Sequence, residues 1–168
     1  MKNEARICSR LIEFEERAAS LYLGLSRRFA ANKDLSLFWL QMSMEEKQHA
    51  LLLRFCDCQQ LIAGLPDRNR VQALAKLLDQ IDKRSGCKDL SMDDAFLIAA
   101  ELEGSEINDV FEGLIKPIQG TWHLMRKKIE ALKPDHMQIL LRAARRFGVS
   151  APVLARMLEI HQEAAKSA

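Results

Sequence analysis

The segment MSMEEKQHALLL, residues 42–53, decides the expected fold. Glu46 and His49 stand three positions apart, so on an α-helix their side chains lie about 60° apart around the axis and can hold one metal ion together. Both residues share a helical stripe with Met42 and Leu53, which predicts that they face the interior. A carboxylate buried there requires a partner that balances its charge. Because the same spacing also occurs by chance on solvated helices, its meaning depends on the neighbouring segments.

Apolar residues recur every three or four positions on both sides of this segment, which predicts an all-α protein. A short turn at 32–34 makes the first two helices antiparallel, and a long polar connection over 65–90, containing a short helix VQALAKLLDQI, precedes the third. Pro134 lacks a backbone donor and therefore predicts a kink or break in the fourth helix. The expected helices are Asn3–Ala31, Leu35–Ala63, Met92–Ile115, Thr121–Phe147 and Ala151–Ala165. We expect an antiparallel four-helix bundle with a long crossover over residues 1–148, and a C-terminal amphipathic helix over 149–168 that packs on the bundle or extends from it.

Composition narrows the class of protein further. The chain has 168 residues, of which 48% are hydrophobic and only 6% aromatic, as expected for one helical domain. The net charge of +2 comes from interspersed residues of both signs, so neither a nucleic acid nor a membrane is an expected partner. Carboxylates interrupt the N-terminal segment where a signal peptide needs an apolar run, which predicts a cytoplasmic protein. The cysteines follow no disulfide or zinc pattern and are expected to be reduced and buried; they are Cys8, Cys56, Cys58 and Cys87.

The same chemistry recurs on the other predicted helices. Glu15 falls on the apolar stripe of the first helix, Glu103 on that of the third, and His136 on the fourth. By residue number, His49 follows Glu15 by 34 positions and His136 follows Glu103 by 33. The two halves of the chain therefore look like copies, each with one inward carboxylate and one imidazole.

With these motifs the sequence resembles the rubrerythrin-like branch of the ferritin-like superfamily. The resemblance spans roughly residues 4–147 and rests on EFEERAASLY, with Glu15 seven positions before Tyr22, on MSMEEKQH, and on IAAELEGSEINDVFEGL, with Glu103 and Glu106. It implies a ferritin-like bundle that binds two irons and acts as an oxidoreductase on oxygen or peroxide. It also implies that Tyr22 packs beside the site and hydrogen-bonds there, and that the chain forms a homodimer. The implied metal ligands are Glu15, Glu46, His49, Glu103, Glu106 and His136.

Two departures from the family pattern leave the metal content open. The repeat places a glutamate three positions before His136, where this chain has Lys133, and no rubredoxin-like module is found, so an external electron donor is expected. Glu106 can supply the missing donor, in which case two irons bind. Alternatively one position is lost and a single ion binds, or Lys133 pairs with the carboxylates of a metal-free bundle that serves interaction or regulation. Manganese and zinc are the alternatives to iron.

A competing interpretation comes from LLRAARRFGVSAPVLARML, whose Ala144, Gly148 and Leu154 have the spacing of a helix-turn-helix. Nucleic-acid binding through residues 140–161 is therefore a second functional class. The second helix of this motif offers few groups that read bases, so the metal-binding interpretation is the stronger prediction.

Overall fold

The computed structural model describes residues 2–58, 66–105 and 135–167. These residues form six helices and no strand, which confirms the predicted all-α class. None of these helices is both long enough and apolar enough to cross a membrane. The helices are α1 Lys2–Arg28, α2 Lys33–Cys58, α3 Arg68–Ser85, α4 Met92–Glu103, α5 His136–Phe147 and α6 Ala151–Ser167.

Helices α1 and α2 form an antiparallel hairpin and share the most extensive contact between described helices. The turn ends at Asn32, whose side chain accepts a hydrogen bond from the Leu35 amide at 3.1 Å, so α2 begins two residues before the predicted start. Farther along the hairpin, the buried Ser43 hydroxyl donates to the Ala19 carbonyl at 2.7 Å. This hydrogen bond fixes the position of α2 along the axis of α1. The predicted end of the second helix, 59–63, lies outside the described residues.

The crossover contains α3, which has 18 residues and is longer than the predicted segment 71–81. Asp67 caps its first turn by accepting hydrogen bonds from two backbone amides, and Gly86 caps its C-terminal end. One apolar side of the helix is buried in the core, and Arg17 of α1 binds Asp82 at 2.6 Å. The crossover is thus a folded element that packs against α1 and α4.

Helix α4 begins with a capping box formed by Ser91 and Asp94 but ends at Glu103, well before the predicted end at Ile115. Gly104 follows, and a Cβ placed on this glycine would lie 2.3 Å from Cγ2 of Ile160. Helix α6 therefore packs directly on the end of α4, at a place where only glycine fits. The remaining predicted part of this helix, 106–115, lies outside the described residues.

Helix α5 begins just after Pro134, near which a kink or break is expected. Asp135 has extended backbone angles and accepts a hydrogen bond from the Gln138 amide at 3.0 Å, so α5 begins at His136. Gly148 ends α5 in the left-handed conformation, with φ +78°, that favours glycine. The predicted start of this helix, 121–134, is outside the described part of the chain.

Helix α6 packs against α4 and α5 through one buried side that includes Met157 and Ile160. The predicted amphipathic helix is therefore present, and its apolar side belongs to the common core. The helix-turn-helix interpretation of residues 140–161 stays a prediction.

Aromatic side chains join the helices beneath the predicted metal site. Trp39 is fully buried, stacks on Tyr22 with 5.8 Å between ring centroids, and lies 4.8 Å from Phe96. Phe38 contacts Phe96 at 5.8 Å and Phe147 at 6.1 Å. Because this cluster includes residues of α1, α2, α4 and α5, it fixes the positions of the helices that carry the site.

All four cysteines are free thiols, as predicted. Cys8 and Cys56 are buried, but the prediction of burial is wrong for Cys58 and Cys87, which are exposed. Cys58 is the last residue of α2 and Cys87 lies just beyond α3. Both side chains therefore lie at helix ends, outside the buried sides of the helices.

Candidate metal centre

Four helices bring carboxylates and imidazoles together above the aromatic cluster. Glu15 comes from the middle of α1, Glu46 and His49 from α2, Glu103 is the last residue of α4, and His136 is the first of α5. The three carboxylic residues and His136 are each less than 8% exposed, and the His49 side chain is 13% exposed. The structure thus places five of the six sequence-predicted ligands in one buried cluster. The sixth, Glu106, lies outside the described residues, as does Lys133.

The first half of the cluster joins α1 to α2. His49 Nδ1 lies 3.1 Å from Glu46 Oε2 and 3.7 Å from Glu15 Oε2. One donor atom from each of these three residues can be chosen so that all lie within 4.8 Å of one another. This spacing is compatible with a single cation held by two carboxylate oxygens and one imidazole nitrogen.

The second half of the cluster joins α2 to α4 and α5. His136 Nδ1 lies 3.0 Å from Glu103 Oε2 and 3.2 Å from Glu46 Oε1, and these three residues form a second group within the same 4.8 Å limit. Glu46 therefore belongs to both groups and turns one oxygen toward each imidazole. The His49 and His136 rings stack with 5.5 Å between their centroids.

Several buried oxygen and nitrogen atoms of the cluster make no hydrogen bond of acceptable geometry. Among the described residues, five buried side-chain nitrogen or oxygen atoms have none, and four of them belong here. These four atoms are Glu15 Oε2, Glu45 Oε2, Glu46 Oε1 and His136 Nε2. Three of these atoms nonetheless lie in close ion pairs, Glu45 Oε2 with His136 Nε2 at 2.9 Å and Glu46 Oε1 with His136 Nδ1 at 3.2 Å, and Glu15 Oε2 lies 3.7 Å from His49 Nδ1. Because buried polar atoms are normally hydrogen-bonded, this concentration of contacts without hydrogen-bond geometry is compatible with the binding of a cation at this place.

Glu45 is the site residue that sequence reasoning missed. Its Oε2 lies 2.9 Å from His136 Nε2, on the side of the imidazole that faces away from Glu46 and Glu103, and its side chain is 34% exposed. Metal-ligating histidines commonly direct their second ring nitrogen at a carboxylate, which fixes the tautomer and the ring orientation. In the sequence, Glu45 is distinguished only by its position directly before Glu46. Its side chain points about 100° away from that of Glu46 around the helix, which predicts solvent exposure and not a place in the site.

Tyr22 is fully buried and donates a hydrogen bond to Glu103 Oε1 at 2.5 Å. Burial, followed by the nearby charge of Glu103, raises the pKa of Tyr22 well above its ordinary value. The phenol therefore stays protonated and holds one Glu103 oxygen, while the other oxygen faces His136. This arrangement agrees with the packing beside the site that the family resemblance implies.

Close contact between imidazoles and carboxylates changes the proton affinity of the cluster. Burial opposes protonation of His136, but three surrounding carboxylates outweigh it and raise its pKa to about 12. Burial likewise opposes protonation of His49, whose pKa is raised to about 9 by Glu15 and Glu46. Burial raises the pKa of Glu15 to about 8, against the effect of His49. Burial also favours a higher pKa for Glu46, but the hydrogen bonds from His136 and His49 outweigh burial and lower the pKa of this carboxyl group. The cluster therefore retains protons near neutral pH, and a bound cation would have to displace them.

Comparison of the chain with protein-family models, with curated proteins and with solved structures found no match. The chemistry of the site therefore has to be inferred from the geometry of these residues.

Proposed function

We propose that this chain is a ferritin-like, rubrerythrin-related protein that binds two metal ions in the described cluster. The observation that carries the proposal is the position of Glu46, whose two oxygens face two different imidazoles. A carboxylate shared by two groups of donors is what a pair of adjacent cations requires. Glu15 and His49 complete one position, and Glu103 and His136 complete the other.

Charge balance supports two divalent cations rather than one. Four carboxylates meet at the cluster when Glu45 is included, and they carry four negative charges if all are ionised. Two divalent cations bring four positive charges and leave both imidazoles neutral, as metal ligation requires. Carboxylate oxygens combined with imidazole nitrogens suit iron, manganese and zinc, and iron is the metal that the proposed family uses.

The proposed activity is oxidation and reduction with oxygen or a peroxide as the small oxidant. Two ferrous ions would supply the electrons for this chemistry, and an external donor would have to restore them. The chain itself contributes a buried site, in which Tyr22 keeps Glu103 oriented and Glu45 faces the outer nitrogen of His136. These contacts limit how far the ligands can move when the charge of the metals changes.

A second candidate is a bundle that binds one ion or none and serves interaction or regulation. It is favoured by the direct contacts that His136 makes with Glu103, Glu46 and Glu45, at 2.9–3.2 Å. A protonated His136 satisfies much of the negative charge in the second half of the cluster without a metal. In that case only the group around His49 would take up a cation.

Metal counting on selected variants tests both candidates. Protein reconstituted anaerobically with ferrous iron and freed of loose metal should contain about two irons per chain by elemental analysis. Glu15→Ala should retain about one and Glu46→Ala fewer than one, because only Glu46 belongs to both groups. Glu16→Gln, which changes a partly exposed carboxylate on the same helix as Glu15, should retain two. One iron in the unmodified chain would support the second candidate, and none would exclude both metal-bound forms.

A further inference from the structure

Helix α2 carries large apolar side chains on two opposite sides. Its inner side is buried in the core, and its outer side exposes five more large apolar residues, with exposed fractions from 37% to 62%. These residues, which we name the outer stripe of α2, are Leu37, Leu40, Met44, Leu51 and Phe55. In the parts of the chain that the structure describes, they are all of the exposed large hydrophobic residues. A helix that is apolar around its circumference is normally covered on both sides.

The residues of the outer stripe lie along one line on the surface of α2. Its successive spacings of three, four, seven and four residues keep the side chains on one side of the helix over a length of about 27 Å. Gln48 occupies the gap in the seven-residue step and is also exposed. An apolar patch of this extent, interrupted by Gln48, is typical of a surface that contacts another macromolecule.

The sequence of the stripe is close to symmetric about the level of Glu46. Its residues can be arranged in three pairs, and the members of each pair stand at equal distances, to within one position, before and after Glu46. The pairs are Leu37 with Phe55, Leu40 with Leu51, and Met44 with Gln48. In an antiparallel pair of identical helices related by a two-fold axis at this level, each residue lies opposite the other member of its pair.

We infer that the outer stripe of α2 is the surface through which two copies of this chain associate, with their α2 helices antiparallel. A two-fold interface uses the same patch on both copies, so the patch must be complementary to itself. The antiparallel arrangement meets this condition along the whole stripe, because Met44 of one copy fills the gap at Gln48 of the other. A parallel arrangement would instead place the two Gln48 gaps opposite each other. The inference does not depend on whether the cluster binds metal.

The size of the stripe is sufficient for a specific dimer. If each partly exposed side chain contributes on the order of 100 Å², five of them cover roughly 500 Å² per copy, or ~1,000 Å² in the pair. This is near the lower limit for a specific interface before any flanking polar residue is counted. Lys47 lies at the edge of the outer stripe, where its long side chain can extend into solvent.

Measurement of mass in solution tests the inference with the full chain. Light scattering or sedimentation should give twice the chain mass of 19.2 kDa at micromolar concentration. Leu51→Glu places a charge in the stripe and should weaken association by at least ~100-fold, since an unpaired charge would be buried. The matched control Ala73→Glu adds the same charge to the exposed surface of α3 and should remain dimeric. Circular dichroism should show unchanged helix content for both variants. A monomeric unmodified chain, or a dimer that Leu51→Glu leaves intact, would overturn the inference.

Cysteine cross-linking tests the antiparallel register independently of variant stability. In a background with Cys58→Ser and Cys87→Ser, Met44→Cys and Gln48→Cys proteins are prepared separately and then mixed under mild oxidation. The mixture should form a disulfide-linked dimer containing one of each, because positions 44 and 48 lie opposite each other. Either protein alone should cross-link poorly, since its two cysteines are offset by four residues, or about 6 Å along the helix axes. Efficient cross-linking of each protein alone but not of the mixed pair would contradict the antiparallel arrangement.

Discussion

Removal of the Glu45 side chain should weaken metal binding although Glu45 is not a proposed ligand. Its Oε2 lies 2.9 Å from His136 Nε2, while His136 Nδ1 faces Glu103 and Glu46. A carboxylate at this place holds the proton on Nε2 and leaves the Nδ1 lone pair directed at the metal position. Loss of such a partner typically lowers metal affinity about 10- to 100-fold, or roughly 1.4–2.8 kcal/mol. We expect a loss in this range for Glu45→Ala, and a smaller one for Glu45→Gln, which keeps an acceptor but not the charge.

Competition with a chromophoric chelator under anaerobic conditions measures this affinity directly. Glu45→Ala should still bind two ions per chain, with only one of the two binding steps weakened, because the position that includes His49 does not touch Glu45. Glu16→Gln is a matched control, since its side chain is 36% exposed compared with 34% for Glu45, and it should bind as the unmodified chain does. Equal affinity for Glu45→Ala and the unmodified chain, or an equal loss in the control, would refute the assigned role of Glu45.

Three further predictions concern stability. Tyr22→Phe removes the buried hydrogen bond to Glu103 and should lower the free energy of unfolding of the metal-free protein by about 1–3 kcal/mol in urea titrations; no change would mean that this bond contributes nothing. The folded metal-free protein holds a proton on His49, whose pKa is raised from 6.5 to about 9, so the contribution of His49 to stability should be fully present below pH 6.5 and be lost as the pH rises through 9. The pKa of Glu15, raised from 4.5 to about 8, makes stability decline in the same direction as the pH rises. Thermal melts across this pH range should show a falling melting temperature for the metal-free protein and a smaller fall for the metal-loaded protein. A melting temperature of the metal-free protein that rises with pH would contradict the raised pKa of His49. Gly104→Ala should lower the melting temperature because its Cβ would collide with α6, whereas Gly24→Ala, which has open space in α1, should raise it slightly.

Much of the cluster could be predicted because helical periodicity reports which side of a helix is buried. Glu15 and Glu103 interrupt apolar stripes, and the spacing of Glu46 and His49 matches one turn of helix. His136 was found through the similarity of the two halves of the chain, although it stands in the first turn of α5, where a histidine is often exposed. Its burial depends on α5 packing over Glu46.

What escaped prediction depends on contacts between distant helices. Glu45 points away from the core side of α2 and becomes part of the site only because α5 brings His136 to it. Helix α4 ends just before Gly104, where Ile160 of α6 approaches closely, and a glycine in an otherwise helical pattern does not by itself predict a helix end. The outer stripe of α2 adds a second apolar side to a helix already buried on one side, and periodicity alone does not distinguish the two.

Anomalous diffraction from crystals loaded with iron or manganese would test the shared role of Glu46 most directly. The proposal predicts two anomalous peaks per chain, one beside each Glu46 oxygen at about 2 Å, with His49 at one peak and His136 at the other. A single peak, or two peaks of which only one lies within ligand distance of Glu46, would contradict it.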